Sequence, residues 1–139
     1  MIVLDTNVVS ELMRPAPSDG VRLWLASAVD ETLVTTVITA SEIEYGIARL
    51  PEGSRRAALR HRFEELIGTD AGLPALPLEE DAARLAGRFR EQRESRGLHA
   101  QFADMLIAGI AAQIGAPIAT RNTADFSDLG LKVIDPWRA

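Results

Sequence analysis

The sequence predicts an α/β domain, a parallel sheet with helices packed on its faces. Three observations predict it. Short β-prone runs stand at Ile2–Leu4, at residues 32–35, near Leu76, at residues 117–119 and at Val133–Ile134. Helical apolar periodicity fills the first three intervals between them. Polar clusters follow the runs, with Asp5-Thr6-Asn7 after the first and residues 120–128 after the fourth. Strands that alternate with helices need crossover connections, and that makes their sheet parallel.

Each element has a local reason. Ile2–Leu4 is apolar on both faces and reads as a buried strand. Residues 8–13 suit a short helix stopped by Pro15 and Pro17, which lack the N–H a helix needs. Ser18 is a good N-cap for a second helix reaching Val29, with Val21, Trp24, Leu25 and Val29 on one side. Residues 32–35 are short and rich in β-branched side chains, so they form the second strand. Thr39 opens a helix to Leu50, with Ile43, Ile47 and Leu50 at i, i+4 and i+7. Pro51 and Gly53 interrupt the pattern, and Ser54 caps another helix as far as Ile67. Residues 72–77 are a loop with room for a very short strand near Leu76. Residues 79–96 form an amphipathic helix with Ala82, Leu85, Ala86 and Phe89 facing in, ended by Gly97. Residues 100–114 are apolar nearly all round and belong deep in the core. Gly115 ends that helix, and two further strands follow with a polar loop between them.

The chain has 139 residues, which suits one domain spanning 1–139. Hydrophobic residues make up 47% and charged residues 25%, enough apolar surface for a packed core and against disorder. There is no cysteine, which rules out disulfides, thiolate zinc sites and a cysteine nucleophile. Such a chain suits a reducing cytoplasm. Its first residues lack the basic segment and long apolar run of a secretory leader. No run approaches the roughly 20 apolar residues that span a bilayer, so no membrane partner is expected. The net charge of -5 argues against a polyanionic partner only if it is spread evenly. Four clustered acids would carry nearly all of it.

Four acids do cluster by topology. Ligands of open α/β sheets gather outside the carboxyl ends of the strands. That rule points to the loops beginning at Asp5, Thr36 and Thr120. Asp5 follows the first strand, Glu42 lies in the first turn of the helix after the second, Asp104 starts the most apolar helix, and Asp125 lies in the loop after residues 117–119. Carboxylates gathered at one edge repel and raise one another's pKa values. A hard divalent cation such as Mg²⁺ or Mn²⁺ relieves that repulsion through oxygen ligands. Two such ions can activate water and stabilise the leaving oxygen of a phosphodiester. Each acid also has an ordinary explanation. Asp5 can cap a helix, Glu42 can complete a Thr39-x-x-Glu42 capping box, Asp104 can favour a helix N-terminus, and Asp125 can be a loop residue. Thr6, Asn7, Ser41, Thr120 and Asn122 place neutral polar groups near the same edge, where they would orient carboxylates.

The set resembles the motifs of PIN-domain ribonucleases. Asp5-Thr6-Asn7 resembles their opening motif, Glu42 four residues before Gly46 the second, residues 104–108 the third and residues 120–126 the fourth. The continuation Asn7-Val8-Val9-Ser10-Glu11 is most similar to the VapC-type toxins of bacterial toxin–antitoxin pairs. The resemblance implies a PIN-like three-layer α/β sandwich with a central parallel sheet of about five strands flanked by helices. It implies an Mg²⁺- or Mn²⁺-dependent endoribonuclease acting on RNA, a homodimer, and a small antitoxin whose tail enters the acidic groove. By position, Asp5, Glu42, Asp104 and Asp125 match the acidic quartet, with Asp5 and Asp104 as principal metal ligands. Asn122 is a polar alternative to Asp125.

Other features point less directly. Arg55, Arg56, Arg60 and Arg62 form one basic group, and Arg84, Arg88, Arg90, Arg93 and Arg96 another. Interspersed acids make both read as solvated helix faces with ion pairs, more than as RNA tracks. Arg121 lies nearer the acids and is the better candidate for a substrate phosphate. His61 and His99 read as surface residues, and Trp24 and Trp137 as parts of the core or its cover. A receiver-like signalling domain also holds Mg²⁺ in an acidic pocket. It would need an acid at the end of the third strand and a Lys after the fifth; here no acid follows Leu76 until Glu79, and Lys132 precedes its strand. A PIN-like module that binds without cleaving is the remaining alternative. No Gly-rich phosphate loop is present.

Overall fold

Ile2, Val3 and Leu4 expose almost no surface, and the strand they form holds the middle of the sheet. The computed structural model describes residues 1–67, 70 and 72–139. The order of elements is β1 (Ile2–Leu4), α1 (Thr6–Leu12), α2 (Asp19–Ser27), β2 (Leu33–Thr36), α3 (Val37–Ala48), α4 (Ser54–Leu66), β3 (Ala75–Leu76), α5 (Glu80–Glu94), α6 (Phe102–Ile114), β4 (Ile118–Ala119), a 3₁₀ turn (Thr123–Asp125) and β5 (Val133–Ile134). Among the described residues the sheet has five strands in the order β3-β2-β1-β4-β5. Every pairing is parallel. Val3 pairs with Val34 on one side and Ile118 on the other. Asp5, Val37 and Thr120 therefore emerge at one edge.

Alternation along β1 divides the core into two layers. Ile2 and Leu4 face a layer with Val8, Val9, Trp24, Ile43, Ile47 and Phe63, contributed by α1 to α4. Val3 faces the other, with Met105, Ile107, Ala108, Ala111, Ile118 and Phe126. The sheet is thus sandwiched between helices. Among the described residues no helix is long and apolar enough to cross a membrane.

Several local expectations shift. Helix α3 starts at Val37, and its N-cap is Thr36, whose hydroxyl accepts the Thr39 N–H at 3.2 Å. Strand β2 runs into this helix without a loop, so Thr39 lies inside it and the Thr39–Glu42 capping box does not form. Glu42 moves from the first turn to the second. Gly53, not Ser54, holds the N-cap position of α4, and no side chain caps it. Val29 lies beyond α2 and is 79% exposed, so it leaves the inward stripe of Val21 and Trp24. Helix α6 is buried through its middle, but its ends reach solvent at Phe102 and Ile114. Gly115 ends it in the left-handed region, at φ 66°.

Helices α5 and α6 approach closely at Gly109. A Cβ there would stand 2.3 Å from the Ala82 carbonyl oxygen. Backbone cannot yield as a flexible side chain can. Gly109→Ala should therefore destabilise the fold by about 2 kcal/mol through overpacking. Gly87→Ala, with open space around it on α5, should stabilise by about 0.5 kcal/mol through the unfolded chain. Urea unfolding midpoints of the two variants check both signs.

Candidate active site

Asp5 is the N-cap of α1, and it is only 3% exposed. Its Oδ1 accepts the Thr6 N–H at 2.8 Å. Its Oδ2 accepts the Thr120 hydroxyl at 2.7 Å and the Asn7 side-chain amide at 3.3 Å. The capping explanation and the site explanation therefore describe the same residue. Thr120, fully buried after β4, also accepts from Asn7 Nδ2 at 3.2 Å and from the Asn122 N–H at 3.0 Å. Asn7 Oδ1 accepts the Arg121 N–H at 3.1 Å. These bonds tie the turn after β1 to the loop after β4.

Glu42 is held from the other side. Its Oε1 accepts the Thr6 hydroxyl at 2.7 Å. Thr6 Oγ1 also lies 3.0 Å from Thr39 Oγ1. A hydroxyl has one proton, so Thr39 donates to Thr6 while Thr6 donates to Glu42. Its capping-box spacing marks Thr39 as a helix cap; its buried position inside α3 gives it this polar role instead. The legible signal was the run Thr35-Thr36-x-x-Thr39, whose three threonines are all fully buried. Ser41, expected to help, lies on the exposed face of α3.

Asp104 lies in the first turn of α6 and is half-buried. Burial pushes its carboxyl up from 3.8 to about 7, with Asp5, Asp125 and Glu42 adding repulsion and Arg93 opposing them. Asp5 is also raised, mainly by burial, although its bonds to Thr120 and Thr6 act the other way. Glu42 and Asp125 repel it further. Asp125, in the 3₁₀ turn, thus bears on both Asp5 and Asp104. Asn122 is exposed and makes no side-chain cap bond to that turn.

Four segments distant in sequence therefore bring four carboxylates to one sheet edge, framed by hydroxyls and amides. The profile of the PIN domain matches residues 2–131. The chain belongs to the PIN-domain family. Over 138 residues it is 39% identical to "VapC ribonuclease Y4jK" of Sinorhizobium fredii, covering 99% of this chain and 98% of that protein. It is 35% identical over 137 residues to "Toxin FitB" of Neisseria gonorrhoeae, covering 99% of each. The crystal structure of FitAcB from Neisseria gonorrhoeae superposes with a TM-score of 0.85 at 34% identity, covering 100% of both chains. The receiver-like alternative loses ground equally on geometry. Strand β3 ends at Leu76 and runs into Pro77 and Leu78, and Lys132 precedes β5.

The donors at this PIN-domain edge are all oxygen, which suits a hard cation such as Mg²⁺ or Mn²⁺. Burial first, and repulsion between the acids second, raise Asp5 and Asp104, and a bound cation would oppose both effects by favouring the ionised carboxylates. Among the described residues no three acidic or histidine side chains close around one point as they stand. The fit is one of donor type and charge.

The basic residues separate into two kinds. Arg84 pairs with Glu80 and Arg90 with Glu94 on the exposed face of α5, and Arg60 pairs with Glu44. These are the solvated ion pairs the sequence suggested. Arg93 is different. Its place in the sequence groups it with that face, yet it is 4% exposed because α5 turns it inward. Arg121 is exposed, with its guanidinium 5.0 Å from the centre of the Trp137 ring. Trp137 itself packs against the core layer of α1 to α4, and His61 sits on the surface beside Glu65.

The raised carboxyl of Asp104 sets a pH dependence. Below 3.8 the group is protonated in folded and unfolded chains alike. Between 3.8 and about 7 the unfolded chain releases the proton while the fold retains it, so this group withdraws stability as pH rises. Partial exposure screens the effect. In chelator, Asp104→Asn should melt no higher than the parent at pH 4 but about 3 °C higher at pH 8. An equal difference at both pH values in thermal melts would refute this account.

Proposed function

We propose that the chain is a divalent-metal-dependent endoribonuclease that hydrolyses RNA phosphodiester bonds, and that it is the toxin of a toxin–antitoxin pair. The observation that carries this reading is the gathering of Asp5, Glu42, Asp104 and Asp125 at one sheet edge, with burial and mutual repulsion raising Asp5 and Asp104. Likeness to proteins named as a ribonuclease and a toxin supports it. The whole chain, 1–139, acts as one nuclease domain. Its cysteine-free composition suits the reducing cytoplasm.

Asp5 and Asp104 would hold the cation, with Glu42 and Asp125 completing the set directly or through water. When bound, Mg²⁺ or Mn²⁺ activates water and offsets the charge that grows on the phosphate. The protein residues prepare the site before substrate arrives. Thr120 and the Thr6 N–H hold the two oxygens of Asp5 in one orientation. The Thr39–Thr6 relay aims Glu42. Arg121, at the exposed rim above Trp137, would meet a phosphate of the strand, which an acidic site must otherwise repel. In hydrolysis the water oxygen bonds to phosphorus, the bond to the leaving oxygen breaks, and that oxygen takes up a proton. An antitoxin that inhibits such a site must present positive charge to it, and the toxin itself is a homodimer in this reading.

Purified protein incubated with a total RNA pool should cut only with Mg²⁺ or Mn²⁺, and chelator should stop it. Asp5→Asn and Asp104→Asn should abolish cutting while keeping the fold. Thr6→Val should lower the rate about tenfold by releasing Glu42. Mapping the new RNA ends reads all three. Cuts that persist unchanged in Asp104→Asn would overturn the assignment, as would no cutting after every co-purified partner has been removed.

A further inference from the structure

Arg93 sits near the end of α5, and its guanidinium is where three segments meet. Nε donates to the His99 carbonyl at 2.8 Å, just ahead of α6. Nη1 donates to the Ala124 carbonyl at 3.2 Å, inside the 3₁₀ turn. The same nitrogen pairs with Asp128 Oδ1. The chain also wraps this group, since the Leu98 N–H donates to the Arg93 carbonyl at 3.0 Å and Gln92 Nε2 to the Asp128 carbonyl at 3.3 Å.

Stability alone is a poor account of this pair. Removing two charges from water offsets most of their attraction, and apolar pairs of like volume often do as well or better. Here the second oxygen of Asp128 is buried with no hydrogen-bond partner among the described residues, so the desolvation is not even fully compensated. What the arginine provides is geometry. Its planar fork is permanently charged and bonds several acceptors in fixed directions. Those acceptors belong to the segments that carry two site acids. Ala124 adjoins Asp125, and His99 leads into the helix whose first turn carries Asp104.

We propose that Arg93 is a positioning residue, setting the spacing of Asp104 and Asp125 by bonding the segments that carry them to one guanidinium. This rests on the reading of those acids as cation-holding groups. The charge of Arg93 also favours the ionised form of Asp104.

The test compares the parent with Arg93→Met/Asp128→Leu, which removes both charges while keeping bulk, and with Arg93→Lys, which keeps charge but loses the fork. Mn²⁺ affinity is titrated on each protein without RNA, and kcat and KM are measured separately. The apolar pair also loses the bonds to the His99 and Ala124 carbonyls, so it should melt a few degrees below the parent, bind Mn²⁺ about tenfold more weakly at temperatures where it is folded, and lose about tenfold in kcat with little change in KM. Arg93→Lys should fall between the two. Parental Mn²⁺ affinity and kcat in a folded apolar pair would overturn the proposal. If that pair does not fold, parental values in Arg93→Lys overturn it instead. Asp104→Asn serves as the reference. If it binds Mn²⁺ as the parent does, the site assignment fails and the role of Arg93 falls with it. If it loses Mn²⁺ while the Arg93 variants match the parent, only the role of Arg93 fails.

Discussion

A carboxylate with 3% of its surface exposed has lost most of its hydration, and only local donors can replace it. Asp5 is in that position, at the end of the buried central strand. Its two oxygens receive a backbone N–H, a threonine hydroxyl and an asparagine amide. Much of the surrounding structure follows from the need to supply them. Thr120 must be at the end of β4, and β4 must lie beside β1, for the hydroxyl to arrive at 2.7 Å. Asn7 then spans the gap between Asp5 and the Arg121 backbone. Even with these donors, burial still dominates and the carboxyl stays raised.

Two helices bring further acids to this point by different means. Strand β2 turns directly into α3, so Glu42 lies on a rigid element rather than on a loop. Its orientation comes from threonine hydroxyls on two helices. Helix α6 is set by packing instead. Its buried middle lies against α5, at a closeness that only a glycine at position 109 permits. Asp104 rides on the first turn of that helix and inherits its placement. The same apolar packing that fixes Asp104 removes it from water and pushes its carboxyl to about 7. Precise placement and electrostatic strain thus have one cause.

Much of this was legible along the chain. The strands centred on Ile2–Leu4, Leu76, Ala119 and Val133–Ile134 announced themselves by short apolar or β-branched runs between breakers. The parallel order of β1 to β4 followed from the helices between them, whereas β4 and β5 are joined by a polar loop with a 3₁₀ turn. The four acids at this edge were legible as polar residues after a strand or near the start of a helix, although Glu42 lies a turn further into α3 than its spacing suggests. Less legible were the features set by contacts between distant segments. Thr39 looked like an N-cap because its spacing to Glu42 is that of a capping box, but β2 extended one residue further and Thr36 took the cap. Arg93 looked like one of several arginines on a polar helix, since periodicity does not reveal that a loop folds over a charged group. Val29 looked inward until α2 ended before it.

Local sequence was enough to read the order of strands and helices along the chain, the core-facing residues of most of them, and which acids lie at the shared edge. Those properties depend on near neighbours, through periodicity, capping and turn chemistry. Which hydroxyl serves which carboxylate, that burial raises Asp5 and Asp104, and that Arg93 lies inside came from the packed fold. Those properties depend on desolvation and on hydrogen-bond distances between segments that are remote along the chain, such as Asp5 and Thr120, and such distances exist only once the sheet has closed its two layers of helices around it.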